Sequence, residues 1–284
     1  MSVINPGDEA IIPAPCWVSY GDQIKMAEGI PVFVQATEAN HFKVTVEQLE
    51  SARTEKTKVL VLNSPSNPTG MIYTAKELLA IGNWAVEHDI LILADDIYHR
   101  LVYNGAEFTA ISSLSDEIRK RTTVINGVSK TFAMTGWRIG LIFAARELVA
   151  QIIKTHQYLV TSASTQSQFA AIEALKNGAD DALPMKKEYL KRRDYIIEKM
   201  SDLGFKIIEP DGAFYIFAKI PVDLEQDSFK FAVDFAKENA VAIIPGIAFG
   251  QYGEGFVRLS YAASMDMIEQ AMARLTDYVT KKRG

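Results

Sequence analysis

The chain has 284 residues, 48% hydrophobic and 23% charged, enough for a full buried core; this balance argues against disorder and against a membrane span. A formal net charge of −5 with no Arg-rich run argues against nucleic acid as a partner. Cys16 is the one cysteine and His41, His88, His99 and His156 are scattered, so an intrachain disulfide is excluded, a metal site is not expected, and a reducing, cytoplasmic setting without a signal-peptide pattern is.

Val3 and Ile4, just before the turn Asn5-Pro6-Gly7-Asp8, read as the last residues of a helix. Ala10-Ile11-Ile12-Pro13 is a strand running into Ala14-Pro15-Cys16-Trp17-Val18-Ser19-Tyr20, where a lone tryptophan reads first as core packing. Residues 23–28 form a helix closed by Gly29, residues 31–34 a strand, and residues 46–54 a helix capped by Thr45. Lys58-Val59-Leu60-Val61-Leu62-Asn63 is an apolar strand of the kind buried on both faces. It empties into Ser64-Pro65-Ser66-Asn67-Pro68-Thr69-Gly70, a stiff loop in which Asn67 offers both a donor and an acceptor, to a turn or to a ligand.

A helix over 76–88 leads to the buried strand 90–94, which ends in Asp95-Asp96-Ile97-Tyr98. Ligands of open α/β sheets gather outside the carboxyl ends of strands, so acids here are candidates. Strand alternation turns only one of the two aspartates toward such a site; capping the next segment is the other role open to Asp95. Next comes the strand 122–125, then the connection from Asn126 to Gly140 with Ser129, Lys130 and Arg138, then a strand over 139–143. Burial of a lysine among small residues favours its neutral, nucleophilic amine. Arg138 is a fixed cation suited to an anionic group such as a phosphate. An ordinary surface loop is the alternative for both.

A helical region over 147–176 breaks near Thr161-Ser162-Ala163-Ser164. The helix 182–203 carries Lys186, Lys187, Lys191, Arg192 and Arg193, read as a solvated face. Beyond Gly204 the order is strand 205–210, strand 213–218, helix 229–239, strand 241–245, strand 256–261 and helix 265–281. This β-β-α-β-β-α run predicts a small α+β domain over 176–284, following a large α/β domain over 1–175. Arg258 lies inside an apolar strand, where a guanidinium needs a fixed anion or costs several kcal/mol. A structural salt bridge and a ligand carboxylate are both open.

Taken together, the stretch around Lys130, the Pro15-Cys16-Trp17-Val18-Ser19-Tyr20 segment, Asn67-Pro68-Thr69-Gly70, Asp95 with Tyr98, and Val257-Arg258-Leu259-Ser260 resemble the class I and II aminotransferases that use pyridoxal 5′-phosphate. Bacterial aspartate aminotransferases are the nearest subgroup, with Cys16 standing where that segment usually has Tyr. The resemblance covers the whole chain and implies the fold type I of pyridoxal-phosphate-dependent transferases, with a mostly parallel large domain, a small α+β domain and a homodimer. It makes Lys130 the Schiff-base lysine and proton shuttle, preceded by Ser129, and sets Arg138 on the cofactor phosphate. It stacks Trp17 on the pyridine ring, pairs Asp95 with the ring nitrogen, and turns Asn67 and Tyr98 toward the phenolic oxygen. Arg258, with Trp17 and Asn67, then binds the amino-acid substrate.

The implied reaction is transamination between an L-amino acid, aspartate first, and 2-oxoglutarate. An aromatic or other aminotransferase, a pyridoxal-phosphate-dependent lyase, and a non-catalytic binding or dimerisation module of the same ancestry are the alternatives. Family members carry roughly a hundred further amino-terminal residues, including a Gly-rich loop whose backbone N–H groups donate to the phosphate. The chain is therefore expected to be an amino-terminally truncated aminotransferase with an incomplete phosphate site, exposed apolar surface and doubtful independent activity.

Overall fold

The computed structural model describes residues 1–284. Five parallel strands, β1 (Glu9–Ala14), β2 (Ile30–Gln35), β3 (Thr57–Asn63), β4 (Leu91–Asp95) and β5 (Thr122–Gly127), form most of the first sheet. A sixth, β6 (Gly140–Phe143), pairs antiparallel with β5, giving the order β2-β1-β3-β4-β5-β6. The central strand β3 explains its own sequence: Val59, Leu60, Val61 and Leu62 are all buried, as an unbroken apolar run between two covered faces requires.

Four helices join the parallel strands: α1 (Ser19–Met26), α2 (Val46–Ala52), α3 (Ala75–Glu87) and α4 (Asp116–Arg121). Thr45 with Gln48 and Thr74 with Glu77 form capping boxes that satisfy the first N–H groups of α2 and α3. Leu78, Ile81, Trp84 and Ala85 turn the apolar face of α3 onto Leu60 and Ile92 of the sheet. The chain steps from β1 outward to β2 and then back across to β3. The resulting switch point lies between β1 and β3, where the carboxyl ends leave a crevice.

After α5 (Arg146–Val160) and α6 (Thr165–Asn177), the long helix α7 (Ala182–Asp202) leads to the second sheet. This sheet is antiparallel, order β7-β8-β10-β9, from β7 (Lys206–Ile207), β8 (Tyr215–Lys219), β9 (Ile244–Pro245) and β10 (Phe256–Ser260). Two more helices, α8 (Ser228–Asn239) and α9 (Met265–Arg283), join α7 behind it around Phe231, Phe235, Met272 and Tyr278. The opposite face sends Phe217 and Phe256 into the core of the first sheet, where both meet Phe42. No helix is long and apolar enough to cross a membrane.

Three local expectations are corrected. Residues 1–4 are not helical; Ile4 buries against Ile24 beside Gly29. The strand expected over 241–245 shrinks to Ile244–Pro245, because a sheet edge ending in proline offers little to pair with.

Arg193 is not part of a solvated face: it is 2% exposed. Its Nη1 donates to the Pro210 carbonyl at 2.9 Å, its Nη2 meets Glu209 Oε1 at 2.8 Å and Asp194 Oδ1 at 2.7 Å, and the guanidinium lies over the Tyr103 ring. The planar fork finds an acceptor on each side, which is what lets an arginine be buried. Arg193→Ala is therefore expected to cost about 2–4 kcal/mol of stability, read as a lower urea midpoint.

Candidate active site

Four strands of the first sheet end around one cavity of about 380 Å3, a volume within the usual range for small-molecule sites. Trp17 follows β1, Asn67 follows β3, Asp95 closes β4 with Tyr98 one turn on, and Ser129, Lys130 and Arg138 follow β5; all seven line it. Arg258 reaches the same place from β10, where its Nη1 donates to Asn67 Oδ1 at 2.8 Å. A larger cavity of about 520 Å3 lies behind the second sheet, but 17 of its 21 lining residues are hydrophobic and it collects no comparable set of reactive groups.

Register fixes the floor of the site. Asn63 is paired with Asp95 across β3 and β4, and its Nδ2 donates to the Asp95 carbonyl at 2.8 Å. Its Oδ1 accepts from the Asn67 backbone N–H at 2.8 Å, so the loop carrying Asn67 is tied to the strand it leaves. The far end of that loop is keyed into the β7–β8 connection. Gly70 has φ +73°, a side chain on it would overlap Pro210, and its carbonyl accepts from the Gly212 N–H at 2.9 Å.

Asp95 and Asp96 differ as strand alternation requires. Asp95 faces the cavity; its Oδ2 accepts from the Tyr20 hydroxyl at 2.5 Å and its Oδ1 from the Ile97 N–H at 3.2 Å. Burial still raises its pKa, against the lowering effect of those two bonds and of Lys130. Asp96 is buried away from the cavity, and burial, with the neighbouring Asp95 charge, pushes it up to about 7. A carboxyl raised in this way is harmless to the fold while protonated; the stability it allows is lost as pH climbs from about 4 through about 7. Asp96→Asn, which keeps the neutral form, is expected to raise the melting temperature at pH 8 and leave it unchanged at pH 4.

Lys130 is half-buried, its Nζ 5.8 Å from the centre of the Tyr98 ring and 5.5 Å from that of Phe214. Burial lowers its pKa, Arg138 and Arg258 lower it further, and Asp95 pulls the other way. The net direction favours a neutral amine, the nucleophilic form. Arg138 is exposed at the rim with φ +55°; one nitrogen donates to the Thr135 carbonyl, and the rest of the fork is free for an anion.

Arg258 has no acid within ion-pair distance, which removes the structural salt bridge as its explanation. It lies 4.3 Å from the Tyr215 ring centre and 4.8 Å from that of Phe249, and its Nε is buried with no hydrogen-bond partner. A buried guanidinium nitrogen without an acceptor has the donor chemistry that a carboxylate satisfies.

Tyr20, Asn63 and Tyr215 were not singled out by sequence reasoning. Tyr20 stands three residues after Trp17, so the first turn of α1 returns it beneath that ring, with which it makes an edge contact at 5.3 Å. Asn63 closes a strand directly after four apolar residues, Val59 to Leu62, a signal that was legible. Tyr215 carries no such signal in an aromatic-rich strand.

The cavity gathers an amine of lowered basicity, a buried aspartate, an indole and an exposed guanidinium, and Asn67 in its wall ties Arg258 to it, a set suited to a phosphate-bearing carbonyl compound. Comparison with known proteins gives the family. The pattern of the family "aminotransferase class I and II" matches residues 1–275. The chain is 50% identical to the asparagine–oxo-acid transaminase of Streptococcus mutans over 99% of its length and 72% of that protein's. It is 41% identical to the aspartate aminotransferase of Bacillus subtilis over 98% of its length and 72% of that protein's. Among solved structures, the aromatic aminotransferase of Pyrococcus horikoshii superposes with a TM-score of 0.95 at 38% identity, covering 99% of this chain and 76% of the other. A Thermus thermophilus aspartate aminotransferase gives 0.91 at 35%, covering 97% and 71%. On its sequence, its mostly parallel α/β sheet and these relatives, the chain belongs to the class I and II aminotransferases.

Proposed function

We propose that the chain binds pyridoxal 5′-phosphate on Lys130 and transfers the amino group of an L-amino acid, aspartate first, to 2-oxoglutarate. The observation that carries this reading is Arg258: its Nε is buried with no acceptor, and its Nη1 is bonded to Asn67 in the wall of the cavity that Lys130 lines. Arg258 takes the substrate α-carboxylate while Asn67 holds its other nitrogen, which fixes the amino acid with Cα toward Lys130. Because Asn67 gives its Oδ1 to Arg258, its Nδ2 remains to donate to the cofactor's phenolic oxygen beside the Tyr98 hydroxyl.

Asp95 presents a carboxylate to the ring nitrogen, Trp17 covers the ring face, and Ser129 and Arg138 hold the phosphate. The bound cofactor supplies the electron sink for the pair left when the Cα proton departs. Once the substrate amine has displaced it from the cofactor, Lys130 Nζ would take that proton and return it at the cofactor's C4′. Residues 1–175 carry this machinery apart from Arg258, and we assign them to a large domain, with residues 176–284 as the small one. A homodimer in the cytoplasm belongs to the same reading; on α5 and α6, Tyr158, Leu159 and Phe169 are each more than 60% exposed, a surface suited to assembly.

The Streptococcus mutans relative favours a second donor, asparagine. The test is glutamate formation from 2-oxoglutarate with aspartate or asparagine in parallel. Glutamate with aspartate supports the proposal. Glutamate with asparagine alone moves the specificity, and pyruvate and ammonia from cysteine-type substrates without glutamate would replace it with a lyase.

A further inference from the structure

Two tyrosines from different sheets share a hydrogen bond inside the site. The hydroxyls of Tyr98, one turn past β4, and Tyr215, the first residue of β8, lie 2.9 Å apart, and both side chains are buried. In the register of the second sheet, Tyr215 pairs with Ser260 and Phe217 with Arg258, so the Tyr215 ring shares a face with Arg258 and lies 4.3 Å from its guanidinium. Tyr215 thus touches the group assigned to the substrate carboxylate with its ring, and the group assigned to the phenolic oxygen with its hydroxyl.

Neither hydroxyl has another protein partner in hydrogen-bond range, so the pair makes one bond with two protons. One proton lies between the oxygens and the other is free for the cavity. The Tyr98 ring is the one beneath Lys130 Nζ and one turn from Asp95, which places its free proton on the cofactor side. Its oxygen then accepts from Tyr215. Hydroxyls linked in series polarise one another, so the second makes the first a stronger donor.

We propose that Tyr215 is a positioning residue that acts through Tyr98: its hydroxyl donates to the Tyr98 oxygen and strengthens the bond that Tyr98 makes to the cofactor's phenolic oxygen. The proposal rests on the cofactor reading above. The charged and titratable groups facing the pair are Asp95, Lys130, Arg258 and Tyr189, and none of them accepts or donates a hydrogen bond to either hydroxyl. With the cofactor bound on Lys130, a stronger donor to its phenolic oxygen would lower the proton affinity of the Lys130 nitrogen, and losing that help would raise it.

The test is the pH midpoint of the visible absorption of the protein with pyridoxal phosphate, in the intact chain, Tyr215→Phe, Tyr98→Phe and the double variant. Tyr215→Phe keeps the ring beneath Arg258 and removes only the hydroxyl. It is expected to raise the midpoint by about 0.5–1 pH unit, and Tyr98→Phe by more. The double variant is expected to match Tyr98→Phe alone. The proposal is overturned if Tyr215→Phe leaves the midpoint in place, if its shift persists undiminished on the Tyr98→Phe background, or if it abolishes the band, which would make Tyr215 a scaffold residue. Absence of a Lys130-dependent band in the intact chain overturns the cofactor reading and this inference together. A normal band with no Tyr215 shift overturns this inference alone.

Discussion

Lys130→Ala is expected to lower transamination by about 10⁴-fold or more while leaving the fold intact. The geometry separates the two effects. Lys130 makes no ion pair and no hydrogen bond to the protein, and its surroundings disfavour its charge: burial first, then Arg138 and Arg258. A lysine whose pKa is lowered by folding destabilises the folded state at pH values below its unfolded pKa, so removing it at pH 7 relieves a penalty. The melting temperature of the cofactor-free variant should therefore equal or exceed that of the parent while glutamate formation disappears. A variant that is both inactive and unfolded would show that Lys130 has a structural role not evident from its contacts.

Asp95→Asn is the second large effect, expected to lower kcat/KM by about 10³-fold. A carboxylate about 4 Å from a cation at an effective dielectric near 20 contributes about 4 kcal/mol, close to three decades in rate. Asparagine keeps the shape and an acceptor for the Tyr20 hydroxyl but not the charge. Stability moves the other way. Burial raises the Asp95 pKa, so the cofactor-free fold loses stability as pH rises through that value, and the amide removes the loss. The check is kcat/KM beside the pH 8 melting temperature of the cofactor-free protein: lower activity with higher stability is the expected pairing.

Legibility in the sequence followed burial and chain locality. The buried strands β3 and β4 announced themselves as unbroken apolar runs, and the residues at their carboxyl ends could be named because open α/β sheets gather ligands there. Trp17, Asn67, Asp95, Tyr98, Ser129, Lys130 and Arg138 sit in short stretches following four strands, and the structure draws them around one cavity. Arg258 was visible as a charge in an apolar strand, but its orphaned Nε was not, since that depends on which acids the fold keeps away.

What stayed hidden came from pairings between distant segments. The Tyr20–Asp95 bond spans 75 residues and the Tyr98–Tyr215 bond 117, and no local pattern encodes either. Arg193 was misread for the same reason. On the helix it is one of a run of cations, and only the return of Glu209 and Pro210 from the following strand segment gives it a buried set of acceptors.

A visible spectrum of the purified chain with pyridoxal phosphate, beside Lys130→Ala, before and after adding aspartate, decides whether Lys130 carries the cofactor. A band is expected that forms in the intact chain, is absent from Lys130→Ala and fades when aspartate is added. No band in the intact chain would contradict this, leaving an aminotransferase by descent whose cavity does not hold the cofactor.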